Sequence, residues 1–151
     1  MTQATASQAP VIYGDGHQSR DFVYVKDVVS ANLLAATVNQ PQGAVFNVGT
    51  GDQVSINRLW GLIASMSAAN LPDPRYETAR AGDIRHSRAG LAYSKSNLEF
   101  KPEFSFEQGL AATFEWYQER MTEDRRRKTE DRRRKTEGGR RKTDEGIEDR
   151  I

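Results

Sequence analysis

The chain has 151 residues, with an apolar fraction of 36% and a charged fraction of 28%, values that fit one domain with a modest core. It contains no cysteine, which excludes a disulfide framework and a thiolate metal site. No run of about 18 apolar residues could span a membrane, and the first residues lack the basic and apolar regions of a secretory signal. We therefore expect a cytoplasmic protein with no membrane partner.

The N-terminal quarter of the chain predicts a lead-in, two strands and a helix. Residues 1–10 are small and polar, which is typical of a disordered segment. Val11 to Tyr13 and Phe22 to Val25 are β-prone runs, and the glycines between them indicate a turn. A helix is expected to begin at Asp27, whose carboxylate would cap it, and to end near Pro41.

The middle of the chain predicts one more strand and a helix. Val45 to Val48 is a short apolar run bounded by glycines, as in a strand buried on both faces. Ser55 is a plausible N-cap for the helix that follows. That helix would bury one stripe of apolar side chains, formed by Ile56, Leu59, Trp60, Ile63 and Met66.

A further helix is predicted to begin after Ser105. Ser105 and Gln108 have the spacing of a capping box. The apolar stripe of this helix consists of Phe106, Leu110, Phe114, Tyr117 and Met121. Short strands and about four helices give a mixed α/β fold, with too few strands for a complete doubly wound sheet.

Residues 122–151 form a charged tail that is built from a repeat of seven residues. T-E-D-R-R-R-K begins at Thr122 and at Thr129, and a modified copy begins at Thr136. No apolar seam recurs, so the repeat does not predict a coiled coil, and Gly138-Gly139 is expected to break any helix. The interleaved acidic residues and the lack of aromatic residues disfavour nucleic-acid binding. We expect a solvated helix or a disordered arm.

Three polar residues indicate a ligand site. Arg20 follows a loop that contains glycines, and its guanidinium can hold a phosphate with two parallel hydrogen bonds. Arg80 offers a second such group close to Asp83, a carboxylate able to accept hydrogen bonds from ribose hydroxyls. Two arginines and one carboxylate suit a nucleoside diphosphate, but they supply no nucleophile or redox centre.

Three motifs in order carry a resemblance to a known family. They are I-Y-G-D-G-x-x-x-R-D-F-V-Y-V-x-D-V from Ile12, V-F-N-V-G-T-G from Val45, and R-x-G-D-I-R-H-S from Arg80. Together they resemble the C-terminal, substrate-binding half of NAD-dependent nucleotide-sugar epimerases and dehydratases, the extended short-chain dehydrogenase/reductase family. The likeness is strongest to UDP-hexose and UDP-N-acetylhexosamine 4-epimerases. It spans Val11 to Tyr117 and implies part of an extended Rossmann-type enzyme, with a nucleotide-sugar-binding domain over residues 11–121.

The resemblance implies a role for seven residues of a UDP-sugar site. Arg20 and Arg80 would hold the diphosphate, and Asp83 would lie near the ribose. Val11, Tyr13 and Phe22 would pack against the uracil. The last residue lies where the family varies a gate beside the hexose, and a small side chain there resembles enzymes that accept N-acetylated sugars. This last residue is Ser87.

The chain also departs from the family pattern. It lacks the glycine-rich loop that seats the NAD pyrophosphate on a helix N-terminus. It has no Tyr-x-x-x-Lys pair, which the family uses for hydride chemistry. Glu99 stands where a helix-ending glycine is common. We therefore expect no cofactor and no catalytic residue in this chain, and no dimer of the family type, since that dimer often uses helices of the other half.

Of three functions that remain open, we expect the first, and the second is its main alternative. The chain is a substrate-binding fragment without activity of its own, or one half of a split 4-epimerase that needs a separate Rossmann half, or a non-enzymatic interaction module that acts through its basic tail. A dehydratase or decarboxylase lineage stays open within the family, because the residues that distinguish those reactions lie mostly in the other half.

Overall fold

The structure is a computed structural model, and it describes residues 1–38, 43–67 and 70–148, with side chains up to residue 130 except that of residue 125. It confirms a mixed α/β fold. The chain forms two compact units, Met1–Glu115 and Trp116–Ile151. The elements in chain order are α1 (Thr2–Thr5), β1 (Val11–Tyr13), β2 (Ser19–Arg20), α2 (Val25–Thr37), β3 (Val54–Ser55), α3 (Ile56–Met66), β4 (Arg75–Glu77), α4 (Ala92–Leu98) and α5 (Phe106–Glu148).

The strands of the described residues form two small sheets. β1 pairs in parallel with β4, with Val11 opposite Arg75 and Tyr13 opposite Glu77. β2 pairs antiparallel with β3, with Arg20 opposite Val54. A parallel bridge between Ser19 and His86 continues from β2 into the segment that follows β4. These pairings bring the ends of β1 and β2 close to the residues that follow β4.

The first hydrophobic cluster lies between α3 and the start of α5. Its buried members include Ile63, Leu110 and Phe114, and Leu59, Trp60, Met66 and Phe106 pack against them. Most of the two predicted stripes therefore faces this core, whereas Ile56, Tyr117 and Met121 are not part of it. Ser55 accepts a hydrogen bond from the backbone N–H of Arg58 at 3.1 Å, as an N-cap residue does. The capping box at the start of α5 is also formed.

The capping box consists of two reciprocal hydrogen bonds. The Ser105 N–H donates to Gln108 Oε1 at 2.9 Å, and the Gln108 N–H donates to Ser105 Oγ at 3.1 Å. Each bond satisfies a backbone donor that the helix itself leaves unpaired.

The N-terminal segment contains a short helix, α1, where the sequence predicts a disordered lead-in over residues 1–10. α1 is a single helical turn, and Ala4 is only 2% exposed. Ala4 and Met1 pack in the first hydrophobic cluster. The polar composition of the segment did not indicate this packing. Two apolar side chains are enough to cover an apolar face that α3 and α5 already present.

The second hydrophobic cluster lies between α2 and α4. Its buried members are Ala31, Leu98 and Phe100, and side chains from the segment before Gly49 pack around them. The strand predicted over Val45–Val48 does not form, and Val45 is 84% exposed. Phe46 and Val48 still point into the cluster. The segment is β-prone, but no neighbouring strand pairs with it among the described residues.

The strand predicted over Phe22–Val25 is likewise absent: residues 22–24 form neither strand nor helix, and α2 begins at Val25. Asp27 does not cap that helix. It lies inside the first turn, 1% exposed, and its Oδ1 accepts a hydrogen bond from the Glu103 N–H at 2.8 Å. Its Oδ2 has no hydrogen-bond partner among the described residues. Asp27 thus ties α2 to the loop before α5. The predicted helix end at Pro41 lies outside the described residues.

The predicted helix break at Gly138-Gly139 does not occur, because α5 is helical from Phe106 to Glu148. Glycine lowers helix stability by about 1 kcal/mol relative to alanine without forbidding the conformation. None of the described helices is long and apolar enough to cross a membrane.

Candidate functional site

Five of the seven predicted site residues line one cavity of about 440 Å³ in the first unit. We call it the Arg20–Arg80 cavity. Its remaining lining comes from β1, the loop before β2, the start of α3 and the turn after β4. The full lining is Val11, Ile12, Tyr13, Gln18, Arg20, Ile56, Arg80, Ala81, Gly82 and Asp83.

Strand pairing places these residues. β1 carries Val11 and Tyr13, and the Gly14 N–H extends its parallel pairing by donating to the Glu77 carbonyl at 2.8 Å. The chain then leaves β4 and turns at Gly82, which has a positive φ of 78° that favours glycine. The Asp83 N–H donates to the Arg80 carbonyl at 3.2 Å across this turn. The turn therefore presents Arg80 and Asp83 together.

Arg20 is held by a carboxylate. Its Nη2 lies 2.5 Å from Asp83 Oδ1, and its Nη1 donates to the Ser19 carbonyl at 2.8 Å. Both side chains of the ion pair are about one third exposed. Asp83 therefore orients Arg20 through its Oδ1 atom.

Arg80 is held by an aromatic ring instead. Its Cζ lies 4.0 Å from the centroid of the Tyr13 ring. This distance is well within the range of a cation–π contact. Arg80 is exposed and Tyr13 is half-buried. The two arginines of the cavity thus have different partners.

Two predicted site residues lie elsewhere. Phe22 lines a second cavity of about 460 Å³, where its ring lies 5.4 Å from that of Phe106. We call this the Phe22–Phe106 cavity. Ser87 is exposed and lines neither cavity, and its backbone N–H donates to the Ser19 carbonyl at 3.1 Å. Of the residues that the resemblance assigns to the uracil wall, Val11 and Tyr13 line the Arg20–Arg80 cavity and Phe22 does not, and Ser87, the expected sugar gate, also lies outside its lining.

Asp21 was not predicted as a site residue, yet its hydrogen bonds hold together the loops beside the cavity. Its carboxylate accepts hydrogen bonds from the Thr50 N–H at 2.9 Å, the Thr50 hydroxyl at 2.6 Å, the Gly51 N–H at 3.0 Å and the Ala89 N–H at 3.2 Å. A Cβ at Gly49 would lie 2.6 Å from this carboxylate, so the approach requires glycine. Partial burial raises the pKa of Asp21, but the hydrogen bonds outweigh it and lower the pKa overall.

Gln18 and Ile56 were missed as lining residues. Gln18 donates from Nε2 to the Tyr13 carbonyl at 2.7 Å, which fixes the end of β1. Ile56 was predicted only as a core residue of α3. The sequence carries a signal for Gln18 only in its position between the glycine turn and Arg20.

A second ion pair closes the turn after β1. Asp15 Oδ2 lies 3.0 Å from Arg85 Nη2, and Asp15 Oδ1 accepts a hydrogen bond from the His17 N–H at 2.9 Å. The His17 N–H and then Arg85 lower the pKa of Asp15. His86 Nδ1 lies 2.9 Å from Ser19 Oγ, outside the cavity lining. Over the described ranges, no three His, Asp or Glu side chains come together as a metal site.

Comparison with known proteins links this chain to one family. A family model described as the NAD dependent epimerase/dehydratase family matches residues 1–49. The UDP-glucose 4-epimerase of Mycolicibacterium smegmatis is 35% identical over 116 residues, which are 76% of this chain and 36% of that protein.

Solved structures give the same result. The UDP-glucose 4-epimerase of Thermotoga maritima, solved with UDP-glucose, superposes with a TM-score of 0.73 at 35% identity, over 79% of this chain and 38% of that one. The UDP-N-acetylglucosamine 4-epimerase of Methanobrevibacter ruminantium, in complex with UDP-N-acetylmuramic acid, gives a TM-score of 0.67 at 38% identity, over 76% and 37%. The chain spans a little over a third of the length of these relatives. It belongs to the NAD-dependent epimerase/dehydratase family.

Proposed function

We propose that this chain binds a nucleotide sugar in the Arg20–Arg80 cavity, as the substrate-binding part of an NAD-dependent epimerase or dehydratase. The observation that carries the proposal is the convergence of two guanidinium groups, one carboxylate and one aromatic ring on a single cavity. Solved relatives were crystallised with UDP-sugars, which makes a UDP-sugar the first ligand to test.

The chemistry of the lining suits the parts of such a ligand. Each guanidinium can donate two parallel hydrogen bonds to a phosphate, and two of them balance the charge of a diphosphate. Asp83 can accept hydrogen bonds from ribose hydroxyls. Val11 and the Tyr13 ring offer an apolar surface for the base. We assign these roles to Arg20, Arg80, Asp83, Val11 and Tyr13, and none to Ser87 in the absence of a contact with the cavity.

The described residues do not fit NAD. The turn Gly14 to Gly16 follows β1 as a dinucleotide loop would, but it leads into β2. A dinucleotide loop leads into a helix, whose N-terminal N–H groups hold the pyrophosphate. The 151 residues also contain no Tyr-x-x-x-Lys pair. We therefore infer that the chain on its own binds substrate without converting it.

Titration calorimetry tests the binding proposal. UDP and UDP-N-acetylglucosamine should both bind, and Arg20→Gln or Arg80→Gln should weaken the affinity about tenfold or more, since each removes charge-assisted hydrogen bonds. Arg58→Gln is the matched control, because Arg58 lies in the Phe22–Phe106 cavity and pairs with Glu107. Absence of heat at millimolar ligand would overturn the proposal. An effect of Arg58→Gln alone would move the site to the other cavity.

A second candidate function is one half of a split 4-epimerase that docks with a separate Rossmann half. The observation that favours it is an apolar stripe on α2. Val25, Val29 and Leu33 follow each other at helical spacing and are 63%, 51% and 65% exposed. Such a stripe on a helix is typical of a face that another element covers. The chain also spans little more than a third of its relatives.

Co-expression with the cofactor-binding part of a UDP-glucose 4-epimerase tests this candidate. The two parts should co-purify and show epimerase activity. Leu33→Glu should abolish co-purification because it places a charge on the stripe. Ala35→Glu adds the same charge at an exposed position on a different side of α2 and should leave it intact. Failure of the parent chain to co-purify would exclude the split enzyme.

A further inference from the structure

The two arginines of the Arg20–Arg80 cavity differ in how freely they can meet a ligand. Arg20 is paired with Asp83 at 2.5 Å. Arg80 forms no ion pair with any carboxylate of the described residues, and its guanidinium covers the Tyr13 ring at 4.0 Å. The face of Tyr13 that a base could use is therefore occupied by a cation from the same cavity.

We propose that a nucleobase displaces Arg80 from the Tyr13 ring, so that the cavity selects ligands that carry a base and a diphosphate in one molecule. This inference rests on the proposed function of the cavity and names how its specificity arises. Tyr13 is then a specificity-determining residue, because Arg80 covers its ring until a base takes that place.

The reason is an exchange of contacts. A ligand with a base replaces the guanidinium on the ring by a stacked base, and Arg80 becomes free to bind the diphosphate. A ligand with a diphosphate alone also has to draw Arg80 away, but it leaves the ring uncovered. An exposed cation–π contact corresponds to an affinity factor of about two- to fivefold. Bare diphosphates and sugar phosphates should be disfavoured by that factor.

The test compares inorganic pyrophosphate with UDP in three proteins. Tyr13→Leu removes the ring, so its affinity for pyrophosphate should rise about two- to fivefold, while its affinity for UDP should fall. Tyr13→Phe keeps the ring and should bind both ligands within about twofold of the parent chain. Circular dichroism verifies that each variant is folded. The opposite signs for the two ligands distinguish displacement from a general loss of the site.

A second measurement needs no variant. The side-chain protons of Arg80 should show an upfield ring-current shift in the NMR spectrum of the free parent chain. The shift should disappear when UDP is added. Its persistence would mean that the base stacks elsewhere, and it would overturn the inference.

The two proposals fail in different ways. If UDP binds but Tyr13→Leu leaves pyrophosphate affinity unchanged or lower, the displacement is wrong and the binding site stands. If neither ligand binds the parent chain, the proposed function fails and the inference fails with it.

Discussion

The carboxylate of Asp21 accepts four hydrogen bonds from three residues of two separate loops. No cation takes part among these donors, so the negative charge is stabilised by backbone N–H groups and by one hydroxyl. Asp21 directly follows Arg20 in the chain. Asp21 therefore positions β2 and the cavity indirectly, because its hydrogen bonds hold the segments that pack beside them.

Replacement of Asp21 by asparagine should lower the free energy of unfolding by about 1.5–3 kcal/mol near neutral pH. The amide nitrogen would face backbone N–H groups that now have an acceptor, so at least one donor becomes unsatisfied. Urea denaturation measures the change. Asp52→Asn is the control, because Asp52 is an exposed carboxylate nearby, and it should change the stability by less than about 0.5 kcal/mol. Equal effects of the two variants would contradict the prediction.

The same residue predicts a pH dependence. The pKa of Asp21 in the folded chain lies below its ordinary value of 3.8 because the hydrogen bonds outweigh the effect of burial. A lowered pKa in the folded state means that the stabilisation is complete above the ordinary value and is lost as the pH falls through the lowered one. The difference between the parent chain and Asp21→Asn should therefore shrink below about pH 4. A constant difference down to acid unfolding would be inconsistent with this origin.

At the scale of elements, α4 contains a strained end. Glu99 is its C-cap residue and has the left-handed backbone conformation, with φ 53° and ψ 21°. A side chain costs about 1–2 kcal/mol in that conformation, and glycine does not have this cost. The strain is tolerated because Leu98 and Phe100 on either side are buried in the second cluster.

Glu99→Gly should raise the free energy of unfolding by about 1 kcal/mol, since it relieves the strain at a solvent-exposed position. Thermal or urea denaturation measures the gain. Glu99→Ala removes the same charge but keeps the Cβ, so it should give no comparable gain. A gain of equal size in both variants would assign the effect to the charge and not to the backbone.

Local signals account for the elements that the sequence predicted correctly. α3 and the start of α5 have capping residues and apolar stripes within one stretch of chain, so no distant segment is needed to recognise them. Strands depend on a neighbour. Phe22–Val25 and Val45–Val48 have β-prone composition without a pairing partner among the described residues. β4 has a polar and exposed sequence, yet it pairs with β1.

In the candidate site, too, short motifs could be recognised from the sequence, whereas contacts between distant segments could not. Arg20, Arg80 and Asp83 were recognisable because each belongs to a motif that spans a few residues. The importance of Asp21 was not recognisable, because its partners Thr50 and Ala89 come from loops far along the chain. Such a contact exists only in the folded chain, and the sequence around either partner does not reveal it.

At the scale of the whole molecule, both hydrophobic clusters consist entirely of residues within the unit Met1–Glu115. Among the side chains that the structure describes, the last buried core residue is Phe114, in the early part of α5. The charged repeat follows in the other unit. The stability of the first unit should therefore be independent of the repeat.

Removal of residues 122–151 should change the free energy of unfolding by less than about 0.5 kcal/mol, because neither hydrophobic cluster contains a side chain from this range. Phe114→Ala in the full chain is the comparison, and it should cost about 3–5 kcal/mol by opening a cavity between α3 and α5. Urea denaturation followed by Trp60 fluorescence reports on the first cluster directly, with Trp116 replaced by phenylalanine in all proteins. A loss on truncation close to that of Phe114→Ala would assign the repeat a share in the fold. An unchanged midpoint would show that the repeat does not stabilise the first unit.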